Sequence, residues 1–238
     1  MADGRNKVYN IYEKEVIMKI IYEDNHIIVV EKPVNIPSQG DKTGDKDMLS
    51  LVKEYLKEKY KKPGEVYLGL VHRLDRPTGG VMVFAKTSKA ASRLSEQVRN
   101  KDFVKKYLCI IDGKMEKQDD TLKDYLYKNE KNNMSRIANS KEKNAKEAIL
   151  DYKVIKYNEE INLSVVEVTL HTGRHHQIRV QFSSRNHSLY GDQKYGTRGR
   201  GKQLALWAYY LSIIHPTTKE RMEFKIYPEK IGSWKILE

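Results

Sequence analysis

The sequence predicts an α+β fold built on a largely antiparallel, mixed β-sheet with flanking helices and loops, and three observations carry that expectation. Short runs rich in β-branched and aromatic residues recur along the chain, from residues 17–22 to 221–227. Helical periodicity surfaces only in scattered places, not between successive strands as a parallel βαβ sheet would require. At 238 residues the chain can bury a full core, and neither a repeat of fixed period nor an interdomain linker divides it.

Taken in order, residues 1–16 are polar and carry Asp3, Arg5, Lys7, Glu13 and Lys14 where a secretory signal would need an apolar core. They are expected to be a flexible leader ahead of one domain over 17–238. Strands are expected at 17–22 and 27–31. Met48, Leu49, Val52, Tyr55 and Leu56 then share one helical face, and Pro63-Gly64 stops that helix near Lys61. Runs 66–71 and 81–85 read as strands, and Ser88 is placed to cap a second helix that buries Ala91, Leu94 and Val98.

Further strands are expected at 105–111, 148–157 and 163–170. Cys109 falls in the first of these; as the single cysteine it rules out an intramolecular disulfide, and a buried inert thiol is expected. Residues 128–146 are rich in Lys, Asn, Glu and Ser, with only Met134, Ile137, Ala138 and Ala145 apolar. That composition reads as a solvated hairpin or loop, or as a basic arm for a nucleic-acid backbone. A third helix is expected after Thr172-Gly173, with Ile178, Val180 and Phe182 on it and Arg174, His175, Gln177 and Arg179 near its start, where helix ends favour anions. Strands at 204–214 and 221–227 complete the set.

Forty-four Lys and Arg against 32 Asp and Glu leave a net charge of +12, which favours a polyanionic partner. Nucleic acid is preferred over a membrane, because the longest apolar runs, such as 204–211, fall far short of the ~20 residues that span a bilayer. With no signal segment and one cysteine, the chain is expected to be cytoplasmic.

The densest chemistry lies in His72-Arg73-Leu74-Asp75-Arg76-Pro77-Thr78-Gly79-Gly80, where one carboxylate stands between two arginines ahead of a turn. Such a group suits a nucleophile or an ion-pair partner better than a general acid, although a charged turn would show the same spacing. A second cluster, Leu170 to Arg179, packs His171, His175 and His176 among Arg174 and Arg179. Zinc is disfavoured there: the turn splits the histidines, no adjacent Cys or acid completes a set, and the arginines repel a dication. Tyr190-Gly191-Asp192-Gln193-Lys194-Tyr195-Gly196 reads as a glycine-bounded turn, and the following run with Arg198 and Arg200 suits phosphate contact or a solvated loop equally.

In this order the motifs resemble those of RNA pseudouridine synthases of the RluA type, from about Ile20 to Pro228. The resemblance is carried by Asn25-His26-Ile27-Ile28-Val29-Val30-Glu31-Lys32-Pro33, the His72-Arg73-Leu74-Asp75 segment with Thr78 and Gly80, and Lys106-Tyr107. It continues through Thr172-Gly173-Arg174, His176-Gln177-Ile178-Arg179, Gly191-Asp192 with Tyr195-Gly196, and His215-Pro216. Departures are Gly79 where relatives usually carry Ser, His175 for Thr, Trp207 for His, and Asn35 for Gly; Asn is the residue after Gly that best tolerates a left-handed backbone.

The resemblance implies a catalytic domain that isomerises uridine in structured RNA, ribosomal or transfer, without cofactor or metal. It implies Asp75 as the catalytic carboxylate, Arg179 as its ion-pair partner and Tyr107 against the target base. The base must leave its stack to be reached, so flipping is expected, with Arg73 and Arg76 filling the vacated space or gripping phosphate. Thr78, Lys106, Arg174, His176, Gln177, Arg198 and Arg200 complete the expected RNA-binding set. A monomer without an obligate protein partner is expected. Two other classes share features: a silent RNA-binding module would need the basic surface only, and a glycoside or nucleoside hydrolase would need a second acid.

Overall fold

The computed structural model describes residues 7–11, 16–196 and 200–238, and side chains from residue 18 onward within these. It divides into two compact units, Met1–Phe103 with Ala208–Tyr227, and Val104–Trp207 with Pro228–Glu238. The first unit contains β1 (Lys7–Ile11), β2 (Val16–Glu23), β3 (Ile27–Lys32), α1 (Met48–Lys59), β4 (Gly69–Leu70), β5 (Gly79–Ala85) and α2 (Ser88–Asn100). The second contains β6 (Val104–Asp112), β7 (Asp119–Asn129), β8 (Met134–Ala138), β9 (Lys146–Asn158), β10 (Leu163–Leu170) and α3 (Gln177–Ser183). Strand β11 (Leu206–Ile214) begins in the second unit and enters the first at Ala208, where β12 (Arg221–Lys225) follows; a 3-10 turn, Gly232–Leu237, belongs to the second.

In the first unit β1, β2, β3 and β5 pair antiparallel in that spatial order, β11 borders β5, and β12 pairs with β11. Within the segment expected to be a flexible leader, residues 7–11 therefore form an edge strand, paired from Lys7↔Ile20 to Ile11↔Val16. Strand β5 is buried along its whole length and β3 nearly so, which is why both read as unbroken apolar runs instead of alternating ones. Their side chains form a core with Leu94, Leu211, Ile213 and Phe224.

Helix α1 starts at Asp47, whose carboxylate accepts from the Ser50 N–H at 3.2 Å, and it buries Met48, Leu51, Val52, Tyr55 and Leu56. Leu51, not the expected Leu49, completes that face. Helix α2 is capped by Thr87, one residue before the expected Ser88, through a bond from the Ala90 N–H at 3.1 Å. Its buried face is Ala90, Leu94 and Gln97 in place of Ala91, Leu94 and Val98. A glutamine can stand inside because its amide is spent twice on β11: Nε2 donates to Ile214 O at 2.7 Å and Oε1 accepts from Ile214 N–H at 2.8 Å.

In the second unit the order is β6, β10, β9, β7, β8, all antiparallel. Strand β10 matches its expected bounds, β7 was not expected as a strand, and β8 falls in the stretch expected as a solvated hairpin or loop. Charged residues fill β7, and Leu122 and Leu126 are its fully buried positions. The polar stretch 128–146 resolves into the β7–β8 hairpin, paired from Asn129↔Met134 to Tyr125↔Ala138, with a turn leading to β9. Cys109 is buried, and burial pushes its thiol up, as expected for an inert group.

Candidate active site

In the first unit the segment carrying Asp75 is clamped from several sides. His72 is buried; its Nε2 accepts from the Val83 N–H of β5 at 3.1 Å, which leaves the ring proton on Nδ1, and its ring lies against Phe103 with centroids 5.1 Å apart. Ser38 Oγ donates to Leu74 O at 2.8 Å and accepts from Leu74 N–H at 3.0 Å, so one hydroxyl holds both sides of the residue before Asp75. After it, the Thr78 N–H donates to Asp75 O at 2.9 Å and closes a turn. Gly80 then enters β5 with φ +122°, and a Cβ there would lie 2.2 Å from Ala208 O; no other residue fits.

The end of β3 supplies a further clamp. Lys32 is wholly buried, and its ammonium donates to Pro33 O at 2.9 Å and Arg76 O at 3.0 Å. Burial pushes its pKa down to about 7, with the Asp75 charge opposing and Arg76 adding to the depression. Asn35, just beyond, adopts φ +66°, the left-handed backbone that its substitution for glycine anticipates.

The two arginines flanking Asp75 have different surroundings. Arg73 is exposed and makes no hydrogen bond or ion pair among the described residues. The Arg76 guanidinium is engaged by its own unit: it pairs with Asp45, lies 3.8 Å from Asp41, and donates to Asn35 O at 3.2 Å and Thr43 Oγ1 at 3.2 Å. Asp75 itself is half-buried, and Thr78 is buried with no partner for its hydroxyl among the described residues.

In the second unit Tyr107 is buried on β6, and Lys106, on the opposite face of the strand, pairs with Glu167 of β10 at 3.2 Å. The turn before α3 is organised by Gln177, whose Oε1 accepts from Thr172 Oγ1 at 2.7 Å and Arg174 N–H at 3.1 Å while Nε2 donates to Ile149 O at 3.1 Å. Gln177 is thus turned inward, at 3% exposure, and its amide is committed to holding the turn rather than open to RNA. Arg174 is exposed and donates through Nε to Glu147 O at 2.7 Å.

His176 is also buried, with φ +54° as the residue capping α3. The Tyr195 hydroxyl accepts from Ser135 N–H at 2.7 Å and shares a hydrogen bond with His176 Nδ1 at 2.8 Å. Burial, then the nearby Arg179 charge, pushes His176 down to about 2, and the ring is neutral. The His175 ring stacks on it at 3.7 Å between centroids. His171 pairs instead with Asp151 at 2.6 Å, so the three histidines do not converge.

Arg179 is 4% exposed in its side chain and meets a wholly buried carboxylate, Asp192, through two bonds: Nε to Oδ2 at 2.7 Å and Nη2 to Oδ1 at 2.6 Å. Arg200 pairs with Asp112 at 2.6 Å, and Arg198 lies outside the described residues. Sequence reasoning missed Lys32, Ser38 and Asp192. A lysine closing an apolar strand was the available signal for Lys32; Asp192 stood in a recognised motif but without a partner.

A carboxylate on a clamped loop, beside an exposed arginine in a chain of net charge +12, forms a surface suited to a polyanionic substrate. Comparison narrows it. Residues 26–184 match the family model described as RNA pseudouridylate synthase, and the chain belongs to that family, whose members are isomerases that convert uridine in RNA to pseudouridine.

An uncharacterized RNA pseudouridine synthase of Aquifex aeolicus (strain VF5) is 33% identical over 247 residues, covering 95% of this chain and 77% of that protein. Ribosomal large subunit pseudouridine synthase C of Buchnera aphidicola is 32% identical, covering 89% and 67%. Among solved structures, human RNA Pseudouridylate Synthase Domain Containing 4 superimposes with a TM-score of 0.73 at 23% identity, over 88% of each chain, and shares the fold. No helix among the described residues is long and apolar enough to cross a membrane.

Proposed function

We propose that Asp75 is the catalytic carboxylate of this pseudouridine synthase, with Arg179 as its ion-pair partner and Tyr107 against the target base. The observation that carries the reading is the immobilisation around Asp75: Ser38 grips Leu74 on one side, Lys32 grips the Arg76 carbonyl on the other, and the Thr78 N–H closes the turn. A reacting group held this way loses little freedom on meeting its substrate. Isomerisation breaks the bond between ribose and uracil nitrogen and makes one to uracil carbon; a proton leaves that carbon, and the nitrogen regains one. Electrons and atoms balance without a cofactor. Asp75 either attacks the sugar or removes a ribose proton, and Tyr107 assists proton loss from the carbon.

The substrate is a structured RNA, ribosomal or transfer; relatives named as ribosomal large subunit pseudouridine synthases C and D favour ribosomal RNA. Arg73, Thr78, Lys106 and Arg174 are proposed to contact it, with Arg198 and Arg200 on phosphates, in the cytoplasm and as a monomer. The test is to map pseudouridine in RNA from cells with and without the gene, then assay Asp75→Asn on the affected RNA. Loss of a modified position, and a kcat lowered by at least about a thousandfold with RNA binding retained, is expected. Unchanged modification in the deleted strain, or an active Asp75→Asn, refutes the assignment.

A further inference from the structure

We infer that Asp192 is a positioning residue for the reaction, orienting the Arg179 guanidinium from the side away from substrate; this rests on the proposed role of Arg179. Arginine has several rotatable bonds, and a guanidinium that must meet a carboxylate squarely needs its plane fixed. Asp192 engages the Nε and Nη2 edge, so both the position and the plane of the fork are set by one carboxylate.

The surrounding turn is built to hold that carboxylate still. Asp192 Oδ1 also accepts from the N–H groups of Lys194 at 2.9 Å and Tyr195 at 3.1 Å. Gly191 has φ +75°, and a Cβ there would meet Gln203 O at 2.0 Å; a Cβ on Gly196 would meet Asp192 O at 2.6 Å. The Gly196 N–H donates to that same Asp192 O at 3.0 Å. Tyr195 places its ring 5.1 Å from the Arg179 guanidinium carbon, and its hydroxyl is tied to His176 and Ser135. The motif from Gly191 to Gly196, which as sequence is only a permissive turn, is a socket shaped around one guanidinium.

A purely structural ion pair would show the same burial, so the test separates rate from fold and binding. RNA extracted from cells lacking the gene serves as substrate for single-turnover pseudouridine formation by Asp192→Asn, Arg179→Lys and Arg179→Ala, with RNA affinity and circular dichroism measured alongside. Asp192→Asn keeps the shape and an acceptor for the Lys194 and Tyr195 N–H groups but loses the charge. The expected result is a rate at least about tenfold lower with native fold and unchanged RNA affinity.

Arg179→Lys keeps the cation but not the two-bond edge, and the same loss is expected there. A folded Asp192→Asn at wild-type rate, with Arg179→Ala inactive, overturns the positioning role and leaves the Arg179 reading standing. An Arg179→Ala at wild-type rate overturns both. If Asp192→Asn does not fold, Arg179→Lys decides: wild-type rate there refutes the inference, and a rate loss at unchanged affinity supports it.

Discussion

The two arginines that flank Asp75, Arg73 two residues before it and Arg76 one after, look alike in sequence, and their surroundings separate them. Arg73 is exposed and makes no bond among the described residues, whereas Arg76 pairs with Asp45 and Asn35 O in its own unit. A phosphate gains a full charge partner from Arg73 but must displace existing contacts at Arg76. Arg73→Gln is therefore expected to weaken RNA binding and lower the slope of log affinity against log salt by about one unit. Arg76→Gln should change that slope less; fluorescence titrations of RNA over a salt series read both. The family resemblance implied Asp75, Tyr107 and Arg179 as one set. It did not reveal that Gln177 and His176 are spent on internal bonds, because hydrogen-bond partners such as Ile149 and Tyr195 come from other segments.

Elements buried on both faces were the most legible. Strands β3 and β5 announce themselves as apolar runs, and the Thr87 hydroxyl that caps α2 lies one residue before the expected Ser88. Strand β7 was not legible before residue 128, since it carries two buried leucines among charges and owes its form to pairing with β9, whereas β8 lies in the stretch read as a hairpin or loop. Gln97 shifts the buried face of α2 for a similar reason: its bonds to Ile214 lie in a strand far along the chain. The entry to β5 yields a sharp expectation. Gly80→Ala places a methyl 2.2 Å from backbone oxygen at a positive φ, and should destabilise by about 2–4 kcal/mol, read by urea unfolding. A melt unchanged by that substitution would show that β11 gives way.

At the scale of the molecule, stability should vary with pH at both ends of the range. Burial opposes ionisation of Glu23, but bonds from Lys59, Lys86, Tyr60 and Tyr55 outweigh it and hold its carboxyl down to about 2. The unfolded carboxyl titrates near ~4.3, so this stabilisation is complete above that pH and is lost as pH falls towards 2. Lys32 has the same sense in a higher window: folded, it gives up its proton at about 7, and unfolded at ~10.4. The unfolded chain binds the extra proton between these values, and the Lys32 contribution to stability rises with pH across that window. Unfolding free energies over a pH series should show both slopes; Glu23→Gln should flatten the acid one and Lys32→Met the alkaline one. The course of β11 bears on synthesis. The ribosome releases β5 and the Asp75 loop long before Ala208, where the strand bordering β5 enters this unit. During that interval a wholly apolar strand has an open flank, the condition that invites mispairing or chaperone capture. The Asp75 loop and its own clamps are thus made early, and the strand it leads into gains its last neighbour late.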